Sequence, residues 1–125
     1  MIVGIGIDII EVKRIAASID RFGERFLHRV FTPAEIRYCD SKINRDERYA
    51  ARFAAKEAGM KAIGTGWRRG VTWRDVEVQR EPSGQPRLAF TGRAGEFAAA
   101  LGVKRAFVSL THTAEHAIAQ VILED

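Results

Sequence analysis

Asp46-Glu47-Arg48-Tyr49-Ala50-Ala51-Arg52-Phe53-Ala54-Ala55-Lys56-Glu57-Ala58-Gly59-Met60-Lys61-Ala62-Ile63 is the longest stretch of the 125-residue chain that reads as a single element. Ala, Arg, Glu and Lys dominate it, all good helix formers, and Gly64 supplies a C-terminal stop. On a helical wheel Ala50, Phe53, Ala54 and Met60 share one face, the stripe expected to point inward. Glu57 falls on that same face, and Lys61 follows it one turn later. Small side chains at Ala50, Ala54 and Ala58 leave space beside the helix.

The flanking segments alternate strand and helix signals. Met1 to Ile7 is apolar and β-branched apart from Gly4 and Gly6, which predicts a short buried strand stopping at Asp8. From Glu11 a helical period follows, with Ile15, Ile19, Phe22 and Phe26 on one stripe and Gly23 bending or interrupting it. Thr32-Pro33-Ala34-Glu35 combines an N-cap hydroxyl, a first-turn proline and a capping-box glutamate, predicting a short helix to about Asp40. Val71–Arg80 and Arg87–Phe90 read as strands joined through Pro82-Ser83-Gly84-Gln85-Pro86. Thr91 is expected to cap a helix ending at Gly102. Lys104–Thr113 and His116–Leu123 read as a hairpin turning near Ala114-Glu115. The order predicts an α+β domain over residues 1–125, a mostly antiparallel sheet with one long central helix packed on it.

Composition narrows the class of function. Hydrophobic residues make up 46% of the chain and charged ones 29%, enough apolar material for a core. The net charge of +4 points to an acidic ligand or partner without naming one. The lone cysteine, Cys39, cannot form an internal disulfide, which fits a reducing compartment. It reads as a buried thiol and not as a nucleophile. No apolar run approaches a bilayer span, and the start of the chain has no signal-peptide pattern, so a cytoplasmic setting is expected. One cysteine and three histidines give no zinc-ligand spacing. His28 and His116 read as structural.

Two glycine clusters invite nucleotide readings that their spacing does not support. Gly4-Ile5-Gly6 lacks the third glycine of a dinucleotide fingerprint, whose place holds Ile9. Gly64-Thr65-Gly66 is not followed by the Gly-Lys-Ser/Thr of a P-loop. A helix cap explains Gly64; a cap with two glycines also leaves backbone N–H groups able to approach a phosphate.

The chemistry-bearing groups are Asp8, Glu57 and Lys61. Asp8 at a strand end can cap the next helix, and Glu57 with Lys61 can be an ordinary helical ion pair. A carboxylate on a face with Phe53 and Met60, however, needs donors, a cation or solvent. Magnesium takes one or two carboxylates together with waters and substrate phosphates. Asp8 and Glu57 can supply the carboxylates, with Lys61 and the Gly64–Gly66 backbone facing phosphate oxygens. That is the donor set of a phosphoryl-type transfer. Separately, Arg14, Ser18, Arg21 and Arg25 share a face at helical spacing. They can form a solvated surface or a dock for an acidic helix or phosphates.

Three segments together resemble the holo-acyl-carrier-protein synthases, the short branch of the 4′-phosphopantetheinyl transferases. They are Gly4-Ile5-Gly6-Ile7-Asp8-Ile9-Ile10-Glu11, then Arg52-Phe53-Ala54-Ala55-Lys56-Glu57-Ala58 running to Lys61 and Gly64-Thr65-Gly66, and last Val108-Ser109-Leu110-Thr111-His112-Thr113. The resemblance implies the 4′-phosphopantetheinyl transferase fold and magnesium ligation by Asp8 and Glu57. It implies coenzyme A contacts from Arg52, Phe53, Lys61, Gly64, Thr65, Gly66, His112 and Thr113. It also implies docking of an acidic acyl carrier protein on Arg14, Ser18, Arg21, Phe22 and Arg25. Members of this length resemble homotrimers with active sites at subunit interfaces, Asp8 and Glu57 coming from neighbouring chains. Longer relatives carry a second acid where this chain has Ile10, so a water is expected in that magnesium position.

The implied reaction moves phosphopantetheine from coenzyme A to a carrier serine, with release of 3′,5′-ADP. Asp8, Glu57 and Lys61 are its catalytic residues, and Glu57, Lys61 or a water on the ion are alternative bases. Two other classes compete with this reading. A nucleic-acid-binding module is disfavoured because Trp67 and Trp73 do not lie on one strand with stacking aromatics and no recognition motif is present. A silent coenzyme A or carrier binder is disfavoured by the intact Asp8, Glu57 and Lys61. Neither nucleic acid nor a membrane is an expected partner.

Overall fold

A computed structural model describes residues 1–125. In chain order its elements are β1 (Ile2–Glu11), α1 (Val12–Phe22), α2 (Glu24–Val30), α3 (Pro33–Asp40), α4 (Arg45–Ala62), a one-turn 3-10 segment (Trp73–Asp75), β2 (Val76–Arg80), β3 (Pro86–Phe90), α5 (Gly92–Ala100), β4 (Arg105–His112) and β5 (His116–Glu124). One antiparallel sheet has the order β1-β5-β4, and β2 pairs with β3 in a second. The expected α+β architecture is observed, with α4 packed across the three-stranded sheet.

Register determines what each face of that sheet carries. Gly6 pairs with Val121, which pairs with Val108; Asp8 pairs with Ala119, which pairs with Leu110. Directly opposite residues share a face, so this is the face toward α4. The alternate row, Ile5–Ile122–Phe107, faces away. Ile5, Ile7 and Ile9 are consequently 58, 58 and 60% exposed. The expected short buried strand ending at Asp8 is therefore corrected on two counts. β1 continues to Glu11, and Ile5, Ile7 and Ile9 lie outside while Gly4 and Gly6 face the helix and Ile10 is buried on that same side. The two glycine positions are small because the α4 backbone lies directly on them.

Elsewhere the structure keeps most predicted elements and moves some boundaries. The Thr32 capping box forms: its hydroxyl accepts from Glu35 N–H (3.3 Å), and Glu35 accepts from Thr32 N–H (2.8 Å). Gly23, at φ 56° and ψ −132°, divides the expected single helix into α1 and α2. Phe22 accordingly leaves the apolar stripe and is 47% exposed, whereas Ile15 and Ile19 remain buried. The strand expected from Val71 begins at Val76 instead, because the Asp75 carboxylate accepts from Thr72 N–H (3.3 Å) and closes the 3-10 turn. Thr91 occupies the N-cap of α5, but its hydroxyl donates to the Asp75 carbonyl (3.4 Å) and not to the helix.

The wheel missed an ion pair inside the core. Lys56 and Glu35 are fully buried, 2.7 Å apart. Lys56 also donates to the carbonyls of Trp73 (3.1 Å) and Val76 (2.7 Å), and Glu35 accepts from Val78 N–H (2.8 Å). Every ammonium proton thus has an acceptor, as a buried charge requires. The pair ties α3, α4, the 3-10 turn and β2 together. Burial lowers the Lys56 pKa, with Glu35 opposing the shift.

Candidate active site

Close approach of β1 to α4 creates the acid cluster. A side chain at Gly6 would overlap the Ala58 carbonyl, and one at Gly4 the Ala62 carbonyl. With the two backbones in contact, Asp8 reaches Lys61: Nζ donates to Asp8 Oδ1 (2.9 Å) and to the Ile7 carbonyl (3.0 Å). The Asp8 side chain is 17% exposed and that of Lys61 52%. Glu57, one turn earlier, is half-buried and accepts a single protein hydrogen bond, from Trp73 Nε1 (3.3 Å). Burial raises the Glu57 pKa; the Trp73 bond pulls it down, the Asp8 charge raises it further, and Lys61 opposes the rise.

One chain therefore brings Asp8, Glu57 and Lys61 together. This corrects the expectation that Asp8 and Glu57 come from neighbouring chains, since β1 lies against α4 of its own chain. Asp8 Oδ2 and Glu57 Oε2 have no protein hydrogen-bond partner. Two hard oxygens beside a half-neutralising lysine suit a magnesium ion that keeps several waters. No group of three or more His, Cys, Asp or Glu side chains assembles into a self-sufficient metal cage.

The turn after α4 is the helix cap expected at Gly64. Gly64 N–H donates to the Lys61 carbonyl (3.0 Å), and Thr65 and Gly66 N–H both donate to the Met60 carbonyl (3.1 and 3.2 Å). Those amides close the helix, and Gly64 at φ 81° makes the turn possible. Thr65 is buried, with its hydroxyl on the Gly66 carbonyl (2.8 Å).

A second, cationic cluster lies on another side of α4. Arg48, Arg52, Arg80 and His112 line a concavity of about 170 Å³. Arg52 is 3% exposed, its guanidinium 4.1 Å over the Tyr38 ring, and its Nε has no hydrogen-bond partner. His112 Nδ1 lies 2.9 Å from Glu47 Oε1. Thr113 is spent on the β-turn, its hydroxyl accepting from Glu115 and His116 N–H (3.2 and 3.1 Å). Phe53 packs on Trp73, ring centroids 6.3 Å apart. At 100° per residue, Arg52 and Lys61 point about half a turn apart on α4. The expected coenzyme contacts thus fall into two groups and do not form one cleft within the chain.

The family model of the 4′-phosphopantetheinyl transferase superfamily matches residues 4–121. The chain belongs to that superfamily.

Among members of the superfamily, the holo-[acyl-carrier-protein] synthase of Koribacter versatilis is 65% identical over 125 residues, covering all of both chains. Among solved structures, the Neisseria meningitidis synthase matches with TM-score 0.88 at 35% identity, covering 100% of both chains. The Bacillus anthracis synthase, solved in complex with CoA (3′,5′-ADP), matches with TM-score 0.82 at 38% identity, covering 100% of this chain and 98% of that one.

The protein also carries the expected basic surface, rearranged by Gly23. Arg14, Ser18, Arg21 and Phe22 lie on α1, and Arg25 on α2, so no single helical face holds them. The bend instead gathers Ser18, Phe22, Arg25, Phe26 and Arg29 around a concavity of about 320 Å³. The Arg21 guanidinium lies 5.1 Å over the Phe22 ring, and Arg14, Arg21, Arg25 and Arg29 form no ion pair. Phe26, expected on the apolar stripe, lines this concavity while it packs against the core. Arg48, Arg80 and Trp73 carried no signal in the sequence, because contacts across the fold place them.

Proposed function

We propose that this chain transfers the 4′-phosphopantetheine arm of coenzyme A to a serine of an acidic acyl carrier protein, releasing 3′,5′-ADP. The observation that carries the reading is the Asp8–Lys61–Glu57 cluster on a member of this superfamily. The serine oxygen bonds to the β-phosphorus, the bond from that phosphorus to the bridging oxygen breaks, and the nucleotide leaves with the electron pair. Asp8 and Glu57 would hold magnesium, which when bound neutralises pyrophosphate charge. Lys61, anchored by Asp8, offers its remaining proton to a phosphate oxygen as negative charge builds. With Lys61 acting as a donor, the serine proton passes to the Glu57 carboxylate or to a water at this cluster.

Two features support a homotrimer with active sites between chains. The outer row of β1, with Ile5, Ile7 and Ile9 and with Phe107 on β4, is apolar and uncovered in one chain. Arg52 and His112 lie away from the acid cluster, so a neighbouring copy would present its Arg52 and His112 to the coenzyme phosphates bound at Asp8, Glu57 and Lys61. The division between chains that we favour is therefore acid cluster from one and cationic pocket from the next. We assign the protein to the cytoplasm, where a free Cys39 persists as a thiol. No helix is long and apolar enough to cross a membrane.

The deciding experiment is mass spectrometry of apo-carrier protein incubated with coenzyme A, magnesium and this protein. A gain of one phosphopantetheine on serine is expected; an unchanged carrier mass overturns the reading.

A further inference from the structure

Trp73 is held in place from two directions, and its one polar atom is aimed at Glu57. Its backbone carbonyl accepts from the buried Lys56 ammonium (3.1 Å), itself 2.7 Å from Glu35. Its ring packs on Phe53, with an interplanar angle of 24°. From that seat Nε1–H donates to Glu57 Oε1 (3.3 Å), the only protein hydrogen bond Glu57 receives. Consecutive residues on α4, Lys56 and Glu57, therefore grip the same tryptophan by its backbone and by its indole. The other tryptophan, Trp67, is 61% exposed and donates to no protein acceptor.

Glutamate has three rotatable side-chain bonds, and a half-buried one with no partner samples several rotamers. We propose that Trp73 is a positioning residue for the transfer reaction: its indole N–H fixes the Glu57 carboxylate through Oε1 and leaves Oε2 to the divalent cation. The proposal rests on the reading of Glu57 as a cation ligand. The chain of support runs Glu35–Lys56–Trp73–Glu57, from the buried core to the site. An outer partner that orients a ligand in this way commonly changes metal affinity by 10- to 100-fold when removed.

The test is Trp73→Phe, which keeps an aromatic ring against Phe53 and removes only the donor. Binding of Mn2+ to the full chain with saturating coenzyme A is followed by the electron paramagnetic resonance signal of the free ion. Affinity about tenfold weaker is expected, with the carrier KM unchanged; affinity within twofold of the parent overturns the positioning role. Asp8→Ala separates the two layers of the argument. If Asp8→Ala binds Mn2+ like the parent, the cation reading itself fails and the proposal with it. If Asp8→Ala loses the ion while Trp73→Phe keeps it, the positioning role alone fails. Should Trp73→Phe not fold, the parent protein supplies the answer. Its Trp73 indole N–H resonance should shift on Mg2+ addition and in Glu57→Gln, with that of Trp67 unmoved; a Trp73 resonance indifferent to both overturns the proposal.

Discussion

Gly6 stands so close to the Ala58 carbonyl that a β-carbon on it would overlap the oxygen. Asp8, two residues on, points to the same side of β1, so this one approach sets its distance from α4. Gly6→Ala must therefore push strand and helix apart. Overpacking of this kind costs about 1–3 kcal/mol, and the backbone, unlike a side chain, has no rotamer to yield. A lower urea midpoint is expected, together with a fall in transfer larger than the stability loss explains, because the Asp8–Lys61 contact is stretched. Unchanged unfolding and unchanged transfer would show that the two backbones are not in contact.

Asp8 and Glu57 have separate protein partners, Lys61 and Trp73, and each keeps one oxygen free. Asp8→Ala and Glu57→Ala should each lower transfer on the order of 100-fold, since the cation they would hold supports several kcal/mol of charge stabilisation. Chelation of magnesium should do the same to the parent protein. Near-parental rates in either variant at saturating magnesium would remove that carboxylate from the metal site.

Four arginines on α1 and α2, Arg14, Arg21, Arg25 and Arg29, have no acidic partner, and Arg25 and Arg29 line a concavity with Phe22 and Phe26. Charge there should act on encounter more than on the final contact. Arg14→Glu with Arg21→Glu is expected to slow carrier association at low salt by about tenfold or more and to flatten its salt dependence, leaving coenzyme A affinity unchanged. Stopped-flow association across an ionic-strength series is the measurement, and equal rates at low salt would place the dock elsewhere.

Patterns confined to one element are legible in the sequence: the Thr32–Glu35 capping box, the length of α4, the Gly64 stop and the β4–β5 hairpin all rest on local chemistry. The faces of β1 are not. An Ile/Gly alternation reads as a buried strand, and only the contact with Ala58 and Ala62 reveals that the glycines face inward. For the candidate site, the carboxylates were legible because acids among apolar residues need a reason. Their meeting within one chain was not, since it depends on how closely β1 lies on α4. Trp73 was invisible for the same reason: 16 residues separate it from Glu57 in sequence. Nothing in the local sequence marks Lys56 for burial, which follows from Glu35, 21 positions earlier.

That buried pair should be costly to break. Lys56→Met leaves the Glu35 carboxyl in the core with only the Thr32 and Val78 amides as donors. Removing one member of such a pair typically costs about 3–5 kcal/mol. Equilibrium unfolding should show a loss of that order, and Trp73 fluorescence should report a loosened indole in the folded variant. A loss below about 1 kcal/mol, the range of an exposed pair, would mean that the pair is hydrated.

Cys39 gives the pH prediction with the clearest sign. Burial pushes its thiol up from 9.0 to about 12; Arg52 opposes the rise, while Glu35 and Asp40 add to it. Below pH 9 the folded and unfolded thiols are both protonated, and Cys39 contributes no pH dependence. Between 9 and 12 the unfolded chain releases a proton that the folded chain retains, so stability falls as pH rises, by up to about 1.4 kcal/mol per unit from this group. Other groups titrate there too, and Cys39→Ala isolates the effect. The variant's deficit, a small cavity that does not depend on pH, should be constant to pH 9 and shrink above it. The native thiol should also resist alkylation at pH 8 and react on unfolding. A deficit that stays flat to pH 11, or rapid alkylation of the folded protein, would mean that Cys39 is reached by solvent and that the α3–α4 contact around it opens readily.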